Sequence, residues 1–483
     1  MPTIEELATF CKKKGFVYPS SEIYGGLAGF FDYGHLGVEL KNNIKKLWWK
    51  HHVQNREDIV GIDGSIICSP KVWKASGHID CFEDILVECK KCKSRFRGDV
   101  LIEDSLKIVA DGISKTEIDK LIQDNKIACP KCKSELSNAN DFNLMFSTFI
   151  GPKQSEENKA YLRPETAQII FTDFKLIAEH ARLKLPFGIA QIGKSFRNEI
   201  SPRNFLFRCR EFEQMEIEYF IKPGEDKCPF IQEVENTKIN LIPSEKKEEI
   251  VTVKAALKNK IIKNEWHAYW LATEYNFLIN LGVKAEHLRA RQHGKDELAH
   301  YSSDCWDLEY KFPFGWKELQ GIADRGNYDL TQHSKTSGKD LSLFDEASKS
   351  KVLANVVAEP SLGLDRLFLL LMCESFENDE KRGNVVLHLD KKIVPIQIAI
   401  FPLINKLNDK GRELFDMLKD EFVCFYDKSG SVGRRYARQD EIGTPYCITV
   451  DFEEGVTIRD RETTKQERVD LKDLKNKLRE LLF

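Results

Sequence analysis

Net charge is nearly absent from this sequence: 73 Lys and Arg against 76 Asp and Glu leave −3 at pH 7. That excludes a global basic signal for nucleic acid, so any RNA contact must rest on local clusters such as residues 433–438. Long hydrophobic runs are missing too. The longest, residues 367–373, is far too short to span a bilayer, so no membrane attachment is expected. The opening MPTIEELATF carries acids and no apolar core, which does not read as a signal peptide. Its 13 cysteines are an odd number and mostly scattered, which suits a reducing cytosol and a cytoplasmic protein better than a disulfide framework. What is present, 42% hydrophobic and 31% charged residues over 483 positions, fits a globular chain of two or three domains.

The stretch that organises the chain is 191–220, QIGKSFRNEISPRNFLFRCREFEQMEIEYF. It reads as two strands joined by a loop. Alternation puts Ile192 and Phe196 on one face of the first strand and Arg197 and Glu199 on the other. Ser201-Pro202-Arg203-Asn204 supplies turn chemistry. In the second strand Phe212, Gln214 and Glu216 share a face, and Met215, Ile217 and Tyr219 share the opposite one. An antiparallel pair then presents a guanidinium, two carboxylates and a ring on one surface. Arginine's fork donates two parallel hydrogen bonds to a phosphate and keeps its charge. A ring can stack on a purine, so this surface suits ATP. An exposed, salt-bridged sheet face is the plain alternative.

The remaining chain supplies further features in order. Residues 20–37 form a Gly- and aromatic-rich loop. Residues 38–53 read as a helix, with Leu40, Ile44, Leu47 and Trp48 in one stripe, and 58–68 alternate like a strand. Cys89-x-x-Cys92 and Cys129-x-x-Cys132 are paired knuckles whose four thiolates match tetrahedral, structural zinc. Arg163-Pro164-Glu165-Thr166 forms a turn. Residues 221–249 are polar and aperiodic, an insertion or surface loop, and 261–281 form a helix with Trp266, Trp270 and Phe277 in the core. The histidines His293 and His300 read as structural hydrogen-bonders. In 354–376, Val356, Val357 and Ala358 make a buried strand, Glu359 and Ser361 share a face, and Gly363 allows tight entry to a buried helix. Arg366 sits in its first turn, where the helix dipole disfavours a cation and so suggests a bound polyanion. Beyond residue 384 alternating strands and helices suggest a small α/β domain. In it Arg434, Arg435, Tyr436, Arg438 and Gln439 could hold phosphates and stack a base, or form a solvated turn.

Phe196-Arg197-Asn198-Glu199, followed by Arg210-Glu211-Phe212, resembles the second signature motif of class II aminoacyl-tRNA synthetases, and in detail the homodimeric glycyl-tRNA synthetases. The resemblance extends over nearly the whole chain. It implies an α+β fold: an antiparallel sheet flanked by helices, a zinc-ribbon-like insertion and a C-terminal α/β anticodon-binding domain. The implied boundaries are a catalytic domain at 1–383, with insertions at about 85–140 and 221–300, and an anticodon-binding domain at 384–483. The implied activity is ATP-dependent activation of glycine and its transfer to tRNA(Gly), in a homodimer using Mg²⁺.

The resemblance also implies roles. Arg197 and Arg366 would be catalytic, on the α- and γ-phosphates. Asn198, Glu199, Phe207, Arg208, Cys209, Arg210, Glu211 and Phe212 would line ATP, with Glu318 and Leu319 beside it and Glu318 helping to position Mg²⁺. Gly363, Leu364, Asp365 and Arg366 would complete that side. Glycine would meet Arg97, Glu165, Phe212, Glu213, Gln214, Met215 and Glu216, then Glu359, Pro360, Ser361, Leu362 and Gly363. His293 and His300 become candidates for the tRNA acceptor end or the site wall. The family usually has proline at the place of His35 and glycine at that of Ile169. A non-catalytic nucleic-acid-binding protein on the same fold need not keep the arginines and carboxylates present here.

Overall fold

Alternating apolar residues build the centre of the molecule, a nine-stranded sheet. The computed structural model describes residues 1–108, 110, 112–244, 247–295, 297–299 and 302–483. In chain order the strands are β1 (Ile59–Ile62), β2 (Phe187–Phe196), β3 (Glu211–Ile221), β4 (Lys238–Ile242), β5 (Glu249–Thr252), β6 (Leu288–Gln292), β7 (Asp304–Phe312), β8 (Gly315–Asp324) and β9 (Asn355–Gly363). Their spatial order is β5-β4-β6-β7-β8-β9-β3-β2-β1. All neighbours are antiparallel except β4–β6 and β2–β1.

Helices cover this sheet. The helix α1 (His35–Trp49) begins three residues earlier than its apolar stripe suggests, with Gly34 as its N-cap. His35 thus occupies the first helical position, where proline is favoured but not required. Leu40, Ile44 and Trp48 are fully buried. The helices α2 (Ala167–His180), α3 (Glu265–Asn280) and α4 (Leu364–Ser375) follow. Trp266, Trp270 and Phe277 of α3 pack in the main core, as their spacing predicts.

Three stretches differ from the sequence reading. Residues 58–68 make two short strands in different sheets, because Asp63 and Gly64 break the run and the Gly64 amide donates to Gln191 Oε1 at 2.7 Å. The supposed loop at 221–249 contributes β4 to the central sheet and ends where β5 begins; Ile239 and Leu241 alternate inward along KINLI. The basic cluster near 434 is a helix, not a turn.

The C-terminal unit is a five-stranded sheet of β10 (Ile398–Pro402), β11 (Cys424–Tyr426), β12 (Tyr446–Val450), β13 (Val456–Asp460) and β14 (Gln466–Val469), in the order β11-β10-β12-β13-β14. It carries α5 (Asn408–Leu418), α6 (Val432–Asp440) and α7 (Leu474–Leu482) and has its own apolar core. Leu387, Leu389, Ile393 and Val394 belong instead to the main core. The physical boundary therefore lies near 397, not 384. In α6, Arg435 is buried and donates to the Pro402 and Gly430 carbonyls, while Arg438 pairs with Asp427. Tyr436 packs on Phe401 beneath Arg459. Arg434 is the exposed arginine of this helix. Among the described residues no helix is long and apolar enough to cross a membrane.

Candidate active site

A cleft opens over the face shared by β3, β8 and β9. Side-chain alternation puts Phe212, Gln214, Glu216 and Glu218 of β3 on that face. The ladder pairs Gln214 with Gly363 and Glu216 with Ser361, so Glu359 and Ser361 of β9 stand beside them. The wall also includes Glu165, Arg197, Glu199, Phe207, Arg208, Glu318 and Arg366.

One end of the cleft is rich in carboxylates. Glu216, Glu218 and Glu359 bring oxygens within 4.8 Å of one another. Burial pushes Glu359 up to about 8; Arg325, 2.8 Å away, opposes this, while Glu216 and Glu165 reinforce it. Burial and Glu165 also raise Glu216, although the Thr166 hydroxyl donates to it. Glu218 is raised well above the usual range by burial and Glu359, and neither of its oxygens has a hydrogen-bond partner. Glu165 behaves oppositely. Burial works against its charge, yet His78 at 3.2 Å and Arg325 hold its carboxyl well below the usual range. Arg325 itself is fixed by Asp329 at 2.8 Å on the first turn of a neighbouring helix. This end is a buried pocket lined by four carboxylates, of which Glu165 is held as the anion and the other three are pushed toward the protonated form.

The other end is rich in arginine. Arg197 follows the last residue of β2 instead of lying within it; its amide donates to the Arg210 carbonyl and its Nε to Pro164 O at 3.1 Å. Its guanidinium lies over the rings of Phe212 and Phe82, and among the described residues no carboxylate pairs with it. Arg208 is buried enough to lower its pKa, and among the described residues its one ion-pair partner is Glu199 at 3.8 Å. Glu199 Oε2 is itself buried without a hydrogen bond. Arg366 leaves the first turn of α4, donates to Phe207 O at 3.2 Å, and meets Glu318 at 3.1 Å over the Phe207 ring. Three arginines with spare donors face a ring and an unsatisfied acceptor.

Residues 148–263 match the family described as tRNA synthetase class II core domain (G, H, P, S and T), and residues 397–481 match the anticodon binding domain family. The glycine–tRNA ligase of Clostridium beijerinckii is 46% identical, over 98% of this chain and 97% of the relative. Those of Caldanaerobacter subterraneus and Geobacillus thermodenitrificans are 45% and 46% identical over 99% and 98% of the chain, and 98% and 96% of each relative. The chain belongs to the glycine–tRNA ligases. It has the α+β architecture of the class II family, with the catalytic core and the C-terminal anticodon-binding domain.

Not every residue implied by the glycine–tRNA ligase motifs reaches the cleft. Glu213 and Met215 point to the other face of β3: Glu213 pairs with Lys41 and Lys45, and Met215 is fully buried in the core. Leu362 is a core residue for the same reason of alternation, Leu364 is buried at the start of helix α4, and Pro360 is buried on the β9 strand between Glu359 and Ser361. Glu211 pairs with Lys194, and Arg210 holds the Glu199 and Ala28 carbonyls. Asn198 lies in the loop after β2, donating its amide to Leu144 O. Arg97 pairs with Asp99 at 2.6 Å and approaches Asp84 at 3.6 Å, outside the cleft wall. Cys209, Leu319, Gly363 and Asp365 do line it. Ile169 packs with Cys68, Trp73 and Met145. His293 is in the wall, paired with Asp307 at 2.7 Å; His300 lies outside the described residues. Glu218 and Asp329 are absent from the motif reading; Arg325 closes the family-like stretch 312–325 and His78 belongs to Ser76-Gly77-His78, but neither carried a role there. Glu218 was within reach of it, being two residues beyond Glu216 on the same strand face.

Outside the cleft, the four knuckle cysteines converge. All four sulfurs lie within 4.8 Å of one another, with Cys89–Cys132 at 3.4 Å and Cys92–Cys129 at 3.6 Å. Tetrahedral Zn–S geometry places sulfurs roughly 3.8 Å apart. Lys93 and Lys133 take positive φ after each pair, closing the tight knuckles. The donor set fits a structural zinc.

Proposed function

We propose that the chain activates glycine with ATP and transfers it to tRNA(Gly), and that the two ends of the cleft divide the work. The carrying observation is the separation of spare arginine donors from buried carboxylates along one sheet face. In the first step a glycine carboxylate oxygen attacks the α-phosphorus, the bond to the bridging oxygen breaks, and pyrophosphate leaves. Arg197 neutralises the α-phosphate and Arg366 the γ-phosphate, with Arg208 on the bent triphosphate. Phe212 stacks on adenine and Glu199 accepts from its amino group. No protein nucleophile is needed, because positioning and charge supply the acceleration. In the second step the terminal ribose hydroxyl of tRNA attacks the anhydride carbonyl and AMP leaves.

The carboxylate-rich end receives the glycine ammonium through Glu165, Glu216 and Glu359, with Ser361 beside them. Specificity comes from exclusion. A single methylene is worth only about 1–3 kcal/mol in a slot that grips it, but a pocket closed by carboxylates has no room for one.

Magnesium would neutralise triphosphate charge when bound, and Glu318 would help to hold it, since one or two carboxylates suffice. Zinc in the Cys89, Cys92, Cys129 and Cys132 set would be structural, as four protein ligands leave no open position. The chain acts as a homodimer in the cytoplasm; exposed Ile66, Ile67, Phe149 and Ile150, on and around a small three-stranded sheet, support a partner surface. Residues 1–396, with insertions at about 85–140 and 221–300, are the proposed catalytic body, and the anticodon-binding unit follows from about 397.

The test is glycine-dependent exchange of pyrophosphate into ATP without tRNA, with alanine, serine and threonine as controls. Exchange with glycine alone is expected. No exchange with any amino acid, in protein that binds ATP, would leave a non-catalytic nucleic-acid-binding protein as the reading.

A further inference from the structure

His293, Cys305 and Asp307 stand together where β6 runs into β7. The ladder pairs Gln292 with Trp306, and the His293 amide closes the next rung on the Cys305 carbonyl at 3.0 Å. Cys305 and Asp307, two apart on one strand, share a face, and His293 is the cross-strand neighbour of Cys305. An imidazole nitrogen, a thiol sulfur and a carboxylate oxygen therefore lie within 4.8 Å of one another, and all three side chains line the cleft.

We propose that His293, Cys305 and Asp307 form a second metal site, distinct from the four-cysteine knob, that takes a zinc-like divalent cation and leaves a coordination position open to the cleft. The donor chemistry selects the ion. One nitrogen, one sulfur and one oxygen suit zinc or cobalt with three protein ligands and an exchangeable fourth. Magnesium demands oxygen ligands and is a poor occupant.

The surroundings are prepared for a cation. Burial and the nearby Asp307, Glu318 and Glu359 keep the Cys305 thiol protonated far above its usual range. Burial also raises Asp307, against the pull of His293. A bound ion reverses both preferences, because a coordinating thiol gives up its proton. Arg291 is the nearest competing charge, with Nη2 3.4 Å from Asp307 Oδ2. It is already engaged by Glu297 at 3.0 Å and Glu309 at 3.1 Å; the closer contact to Asp307 is the proposed co-ligand His293, with Nε2 2.7 Å from Oδ2, and a bound ion would replace that contact. An ion here would sit on the Glu318 side of the cleft, where Glu318 pairs with Arg366 at 3.1 Å, and would take a phosphate or carboxylate oxygen as its fourth ligand.

The test uses full-length protein with its knob zinc in place, titrated with Co²⁺ alone. About one extra equivalent should bind with a thiolate-to-cobalt charge-transfer band and intense tetrahedral d–d absorption. Cys305→Ser should abolish the charge-transfer band, and His293→Ala should weaken binding roughly tenfold or more. A band that survives Cys305→Ser would place the cobalt in the knob and overturn the proposal, as would no cobalt bound beyond it. Should the variants fail to fold, the wild-type protein decides: Zn²⁺ should protect Cys305 from alkylation, read by peptide mass spectrometry, and undiminished alkylation would refute the site. None of these readouts depends on exchange activity, so the metal site and the proposed function stand or fall separately.

Discussion

Glu216 and Glu218 are two residues apart on one strand, yet the structure sets them different tasks. On the proposed assignment Glu216 and Glu359 hold the substrate ammonium. Glu216→Gln or Glu359→Gln should then lower kcat/KM for glycine roughly 10–100-fold, the scale of a lost hydrogen bond to a charged group, while the KM for ATP stays within about twofold. Unchanged glycine kinetics in both variants would refute the assignment. Glu218 has no such partner. Its folded pKa lies above that of the unfolded chain. Below the unfolded value both states are protonated and nothing is lost. Above it the unfolded chain sheds the proton and the folded one retains it, so stability falls by about 1.4 kcal/mol per pH unit until the folded pKa is reached. Glu218→Gln removes that penalty. Its thermal midpoint should gain on wild type as pH rises from about 5 to 8; a constant difference would show that Glu218 is ionised and paired. The motif made Glu216 legible in the sequence. The place of Glu218 on the same strand face was within reach as well, but its protonation was not, because that depends on Glu359, brought alongside by the pairing of β3 with β9.

At the level of elements, strong periodicity was readable and context was not. Helix α4 and strand β9 follow from their apolar runs, and α3 from its tryptophans. Helix α6 was hidden because its face is made by Arg435 and Gln439, polar residues that are buried only through the Pro402, Gly430 and Thr444 contacts. The strands β4 and β5 were hidden by the polar residues around them. The knob makes the clearest element-scale prediction. It is built on three short strands, Glu83–Glu88, Arg95–Arg97 and Asn140–Asn143, with a small apolar cluster of its own. So small a core leans on metal. Freshly purified protein should contain about one tightly held zinc per chain. Chelation should make residues 89–136 sensitive to protease while the central sheet stays resistant. Metal-free protein with an intact, protected knob would sink the structural-zinc reading.

For the molecule as a whole, the two apolar cores fix where it can be cut. Truncation after residue 396 removes the C-terminal core intact and should spare glycine-dependent exchange while lowering tRNA charging at least tenfold, since its contacts to tRNA are lost. Truncation after residue 383 also strips Leu387, Leu389, Ile393 and Val394 from the main core; burial of this kind is worth about 2–5 kcal/mol per large side chain lost, so that fragment should be insoluble or unfolded. Full charging by the first fragment would remove the C-terminal unit from the reaction. The change in composition near 384 was visible in the sequence, but the core to which those residues belong was not, because it is assembled with helices more than a hundred residues away.

The crowded carboxylates at the closed end of the cleft also act as a reservoir. With several of them holding protons, the arrival of an ammonium group must expel some of those protons into solvent. Glycine uptake should therefore be an acid-releasing event, and the heat recorded in a calorimeter should change with the ionisation enthalpy of the buffer. The slope of that dependence counts the protons displaced, and Glu359→Gln should flatten it.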